Sequence, residues 1–168
     1  MTARPLQPVR REEALALWRA YTATLTAPLI EDDPSIEQFG DSAAMADELA
    51  ELVLAGVKRA SADLPAALAT ERTPLPRIGG HWIVCDGAGR PLCVVRSVEL
   101  RLGPLCSVDD SFAWDEGEGD RTRASWLAEH ESFFRRVQHA QGIEWSGDCE
   151  VLFERFRVVW PPDLADAQ

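Results

Sequence analysis

Two places in the sequence carry residue types that can do chemistry. The first is Lys58. The chain has seventeen basic residues, of which Lys58 is the one lysine, leaving sixteen arginines. A desolvated lysine can lose its proton and act as a base, and an arginine in practice cannot. A lysine kept where arginine is the rule marks a position where arginine would not serve, although chance retention reads equally well. The second is the run Asp115-Glu116-Gly117-Glu118-Gly119-Asp120. Its glycines allow close approach of backbone to a ligand. Its spacing does not fit a Ca²⁺ loop. Crowded carboxylates favour the protonated form of one another, which is how a general acid is made near neutral pH. The plainer reading is a solvated loop with acids at a helix N-terminus.

Other residues read more conservatively. Glu154 shares a strand face with Leu152, Phe156 and Val158, so it must be paired, and an arginine is the expected partner. His130 falls on an apolar helix stripe and reads as a hydrogen-bonded core histidine. Trp114 beside the acidic run is either a loop anchor or a surface on which a base can stack. Arg121, Arg123, Arg155 and Arg157 are candidates for phosphate contact, with surface ion pairs as the commoner role. No GxSxG, HExxH, P-loop or GxGxxG motif occurs.

The elements that must position these groups follow from periodicity. A helix is predicted over about 12–25 and stops before Pro28. Residues 27–39 read as a loop. A second helix starts at Asp41 or Ser42, buries Met45, Leu49, Leu52 and Val53, and ends at Gly56. Lys58 follows, leading into an extended piece over 59–64 and a Pro-rich loop over 65–80. Strands over 81–85 and 91–102 flank the turn Asp86-Gly87-Ala88-Gly89. A third helix with Thr122 as N-cap buries Trp126, His130, Phe133 and Val137, and Gly142 marks its exit. The final strand, 149–160, is apolar on both faces, as a central strand is.

Composition sets the limits. At 168 residues and 46% hydrophobic, the chain is expected to be one globular domain. No signal peptide is read in residues 1–10, and no stretch reaches the roughly 20 apolar residues of a membrane span, so a cytoplasmic location without membrane contact is expected. Cys85, Cys93, Cys106 and Cys149 lack metal-ligand spacing and read as free thiols. A net charge of −11 argues against a broad duplex-binding surface. Eight acids lie between Glu31 and Glu51, where no basic residue occurs.

Taken in order, several segments resemble one family. Phe39-Gly40-Asp41-Ser42 followed by Gly56-Val57-Lys58-Arg59-Ala60-Ser61 is similar to the G-x-K-x-x-T/S signature that opens ASCH domains. Asp86-Gly87 with Gly89-Arg90-Pro91 resembles the family hairpin. The acidic run with Trp126, His130 and Phe133-Phe134 resembles its acidic loop and next helix, and Glu154-Arg155-Phe156 its closing strand. Ser61 stands where threonine is usual, keeping a hydroxyl, and Ile78-Gly79-Gly80-His81 replaces the usual G-D. The resemblance implies an α+β fold: a PUA-like small β-barrel with helices packed outside. It places the domain over 36–160, after an N-terminal helical extension over 1–35 and before a tail over 161–168. It further implies RNA or a modified nucleoside as ligand; no cofactor is expected, no metal-ligating residues are read, and a metal requirement stays open. As a hydrolase of a nucleoside or RNA amide of the N4-acetylcytidine kind, the chain would use Lys58 as base, Ser61 as nucleophile and Glu118 as proton donor. Arg59, Glu116, Asp120 and Arg121 would contact substrate. A non-catalytic RNA-binding module and a ribonuclease acting on single strands are the alternatives.

Overall fold

Alternating and helical hydrophobic patterns resolve into five helices and five strands among residues 4–29 and 33–167, which the computed structural model describes. The loop read over 27–39 and the acidic stretch from Glu31 lie partly outside these residues, as does the start of the N-terminal segment. The strands form one mixed sheet in the order β1-β3-β4-β5-β2, an α+β architecture. No helix among the described residues is long and apolar enough to cross a membrane.

The chain divides into two compact units. The first comprises residues up to Gly56, Gly79–Ser97 and Phe156 onward. Within it, helix α1 (Arg11–Thr22) buries Ala14, Trp18 and Tyr21. Helix α2 (Ala43–Leu54) starts at Ser42, whose hydroxyl accepts the Met45 N–H. It buries Leu49 and Val53 as expected, but Ala43, Ala46 and Ala50 fill the rest of the stripe, and Met45 and Leu52 are only partly covered. Gly56 has φ of 78°, the left-handed conformation expected past the helix end. Strands β3 (His81–Cys85) and β4 (Pro91–Pro104) form the expected antiparallel hairpin, in which Val84 faces Cys93 across the ladder. All four cysteines are free. Strand β1 (Ser35–Gln38), inside the segment read as a loop, pairs parallel to β3. Its sequence SIEQ has no apolar alternation, so only its partner makes it a strand.

The second unit comprises Val57–Ile78 and Val98–Arg155, and it holds Lys58, Ser61, the acidic run and His130. Its core joins Ala60, Ala62, Leu64, Phe112, Trp126, Phe134, Val151 and Phe153. Each aromatic buried there contributes about 2–3 kcal/mol. Strand β2 (Ala60–Asp63) sends Ala60 and Ala62 into that core, so Ser61 and Asp63 point the other way. It pairs antiparallel with β5 (Glu150–Trp160), and Ser61 stands opposite Glu154. Helix α3 (Pro65–Thr70) begins on Pro65. Helix α4 (Asp110–Glu116) occupies what was read as loop, capped by Asp109, whose carboxylate accepts the Phe112 N–H at 2.7 Å. Helix α5 (Arg123–Ala140) has Thr122 as its N-cap, as predicted. Its buried stripe is Trp126, His130, Phe134 and Gln138, with Phe133 and Val137 at the margin.

Candidate functional site

The site is built where the end of α4 meets the segment leading into β2. Gly117 makes this junction possible. Its φ is 76°, and a Cβ there would lie 2.8 Å from both the Val57 carbonyl oxygen and Val57 Cγ1. The Arg59 N–H donates to the Asp115 carbonyl at 2.7 Å, which ties the two segments together. Glu116, the last residue of α4, and Glu118, one residue beyond the glycine, are thereby turned towards Lys58. The acidic run is thus half helix: Asp115 and Glu116 close α4, and only the residues from Gly117 onward are loop.

Lys58 is 1% exposed and faces the carboxylates of Glu116 and Glu118. Its Nζ donates to Glu118 Oε1 at 2.6 Å and lies 3.9 Å from Glu116 Oε1. The Glu116 side chain is also 1% exposed, whereas that of Glu118 keeps 22% and is the member of the trio open to solvent. Behind them stands α5. Trp126 Nε1 donates to Glu116 Oε2, and His130 Nε2 lies 3.1 Å from the same oxygen. The His130 ring stacks on the Trp126 indole with centroids 3.9 Å apart.

These contacts decide the charges. Burial alone would push the Glu116 carboxyl up, but Lys58, His130 and the N–H groups of His130 and Trp126 outweigh it and hold Glu116 below the usual carboxylate range. Burial likewise works against a charged His130, yet the charge of Glu116, its hydrogen bond and the charge of Glu118 raise the imidazole above its ordinary value, against Lys58. Asp63 behaves oppositely. Its carboxyl is pushed up to about 6, first by burial and then by Glu116 and Glu71, with Lys58 and His130 pulling down.

The other residues singled out in the sequence are distributed unevenly. Ser61 lies on β2, partly buried, between Lys58 and Asp63 in the chain. Arg59 donates from Nη1 to the Lys58 carbonyl at 2.8 Å, bracing the segment that carries the lysine. Asp120 is exposed and turned to α5, where its carboxylate accepts both the Thr122 N–H at 2.9 Å and the Thr122 hydroxyl at 2.7 Å. Those bonds hold it below the usual range. Of the acidic neighbours of Glu118, Glu116 faces Lys58 and His130, and Asp120 is engaged at a helix start. Arg121 Nε and Nη2 donate to the Trp114 carbonyl at 2.9 and 2.7 Å, and its guanidinium lies 3.7 Å from the centre of the Trp114 ring. Trp114 is 57% exposed, so it is not a packed anchor. Arg155 bonds Asp115 and Glu99, and Arg123 bonds the Val108 and Cys106 carbonyls, so both serve the fold. Glu154 is buried opposite Ser61.

Two members of the cluster escaped the sequence reading. His130 was assigned to the core, and it is buried as expected, but its ring also faces Glu116. Asp63 gave no signal beyond alternating with core alanines two residues after Ser61. No group of three or more metal-ligating side chains forms a metal site among the described residues.

A model of the ASCH domain matches residues 35–160. None of the curated proteins matches the chain. Among solved structures, an ASCH domain from Lactobacillus crispatus JV V101 superposes with a TM-score of 0.81 at 28% identity, covering 89% of this chain and 96% of that one. A protein from Enterococcus faecalis V583 superposes with a TM-score of 0.79 at 27% identity, covering 88% of each chain.

Proposed function

The chain belongs to the ASCH domain family, with the PUA-like α+β fold of its solved relatives, and from that premise we propose that it hydrolyses an amide on a nucleoside or on RNA, of the N4-acetylcytidine kind. The observation that carries the reading is the 2.6 Å contact between the buried Lys58 and the partly exposed Glu118. Burying an ammonium is costly, and a buried pair is weak support for stability. Such pairs gather where proton transfer is needed. We take the pair to start as ammonium and carboxylate. One proton passed from Nζ to Oε1 makes it amine and acid, the two species that amide cleavage requires.

In this reading Lys58 takes the proton from the Ser61 hydroxyl as Oγ attacks the acyl carbon. The C–N bond then breaks, and Glu118 delivers its proton to the leaving nitrogen. The products are an acyl-serine ester and a free amine, and the pair has returned to ammonium and carboxylate. Water, activated the same way, hydrolyses the ester. Arg59 braces the lysine, and Arg121 with Trp114 offers an aromatic surface for the base. The net charge of −11 favours a nucleoside or a short single strand over duplex.

The test is a panel of acylated nucleosides and short RNAs, with products detected by mass, run on wild type and Lys58→Arg. Loss of turnover with retained binding in the variant supports the assignment. Full activity in Lys58→Arg removes Lys58 from the chemistry. A second reading, a binding module without turnover, takes its support from the exposed Trp114 alone. It is favoured if bases bind and no substrate in the panel is consumed.

A further inference from the structure

His130 and Glu116 have no part in the reaction just described, although both are buried behind Lys58. The hydrogens around His130 follow from which of its partners can only accept and which can only donate. Nδ1 lies 3.0 Å from the Trp126 carbonyl oxygen, which has no proton to give, so Nδ1 carries one. Nε2 lies 3.1 Å from Glu116 Oε2. That oxygen already accepts from the Trp126 indole, whose nitrogen only donates. Because Glu116 is held below the usual carboxylate range, that oxygen is ionised and accepts from both nitrogens. Both ring nitrogens of His130 are then protonated, and the ring is an imidazolium.

The surrounding charges show what this does. Lys58 comes from the segment before β2, Glu116 from the end of α4, Glu118 from the following loop and Asp63 from β2. With His130 charged, the two glutamates are balanced by the ammonium and the imidazolium. With His130 neutral, Lys58 answers to both glutamates at once, Glu116 from 3.9 Å.

We propose that His130 is a positioning residue for the Lys58–Glu118 pair: its imidazolium neutralises Glu116, so that of these two glutamates Glu118 is the one that draws on the proton of Lys58 and can take it. The consequence for turnover rests on the hydrolase reading. The physical content, the charge of His130 and its effect on Lys58, is independent of any substrate. Because the folded value of the imidazole lies above its ordinary one, the balance is complete below the ordinary value. It is lost as pH rises through that folded value, and Lys58 then grips its proton more tightly.

The experiment uses the single lysine. Lysine labelled with ¹³C at Cε gives one side-chain signal, from Lys58, and the three histidines are distinguished by the loss of one set in His130→Gln. In wild type, both His130 nitrogens should report protonation at a pH where free imidazole is half neutral. In His130→Gln, the Lys58 signal should move with pH at a point at least about one unit higher, a tenfold tighter hold on the proton. In the double variant His130→Gln/Glu116→Gln the charge to be neutralised is gone, and the Lys58 signal should return to within about 0.3 units of wild type, as a merely structural role for His130 would not predict. If His130→Gln does not fold, the double variant against Glu116→Gln alone carries the test. The two should then agree, and a difference of a unit overturns the proposal. Neutral His130 in wild type also overturns it, as does a Lys58 signal unmoved by His130→Gln or one that never titrates in wild type. Failure of the nucleoside panel with these shifts present would remove the hydrolase reading and leave the positioning role intact.

Discussion

Replacing Lys58 by Met keeps the length and volume of the side chain and deletes its charge. The loss can be worked from the geometry. Removing one partner from a buried ion pair costs about 3–5 kcal/mol, because the other charge stays behind unpaired. Two features place this site at the lower end. Glu118 retains 22% exposure and can take water in place of Nζ, and His130 still faces Glu116. A loss of about 3 kcal/mol is expected at pH 7.5. For a chain of this length each kcal/mol shifts the melting temperature by about 2–4 °C, so Lys58→Met should melt about 6–12 °C lower. At pH 4 the orphaned carboxylate takes a proton and the deficit should shrink to less than half. The pair Lys58→Met/Glu118→Leu removes both charges and should recover most of the stability. Thermal melts at both pH values, followed by circular dichroism, measure all of this. A Lys58→Met protein that melts within 1 °C of wild type at pH 7.5 would falsify the claim that the lysine is held by charge.

Three further outcomes follow from particular contacts. Asp63 is pushed up to about 6 from the ordinary 3.8, so its ionisation works against folding. The cost is absent below the ordinary value, grows as pH rises through about 6 and is complete above it. Asp63→Asn should therefore stabilise at pH 7.5 by about 1–2 kcal/mol, discounted because the side chain keeps some exposure, and leave the melt at pH 4 unchanged. Gly117→Ala meets both a positive φ and the Val57 backbone, and denaturant titration should show a loss of at least about 2 kcal/mol. Trp114→Ala should leave the melt within 1 °C while weakening nucleoside affinity about tenfold by fluorescence or calorimetry; unchanged affinity removes the stacking role.

The sequence made some of this architecture plain and hid the rest for identifiable reasons. Ser42 and Thr122 as helix caps, Gly56 as a helix stop and the Asp86–Gly89 turn were legible because each is a local rule satisfied by residues close together in the chain. Strand β1 was not, since Ile36 becomes a strand residue only by standing beside Ile83, far along the sequence. Helix α4 was hidden by its shortness and by the glycines that follow it. The site was legible in the same uneven way. Lys58 and Glu118 announce themselves by rarity and by composition. Asp120 and Arg121 share that composition, and composition does not say that they bond Thr122 and Trp114. His130 lay on the expected apolar stripe, and periodicity has no means of saying that the neighbour across the stripe is a carboxylate.

The bias towards arginine also finds its limit at Lys58 for a physical reason. Arginine carries five N–H donors on a rigid plane and needs acceptors arranged to match, whereas lysine carries three on a small head that turns freely. The space around Nζ is closed at 1% exposure and set by Glu118 at 2.6 Å and Glu116 at 3.9 Å. A guanidinium reaching the same depth would have to push Glu116 back against Trp126 and His130, both of which already bond its second oxygen. It would also fix a charge that no proton transfer can relieve. Lysine is thus the residue that fits the volume and satisfies Glu118 with one bond. The exception in the composition and the buried cluster in the fold are one fact seen at two levels.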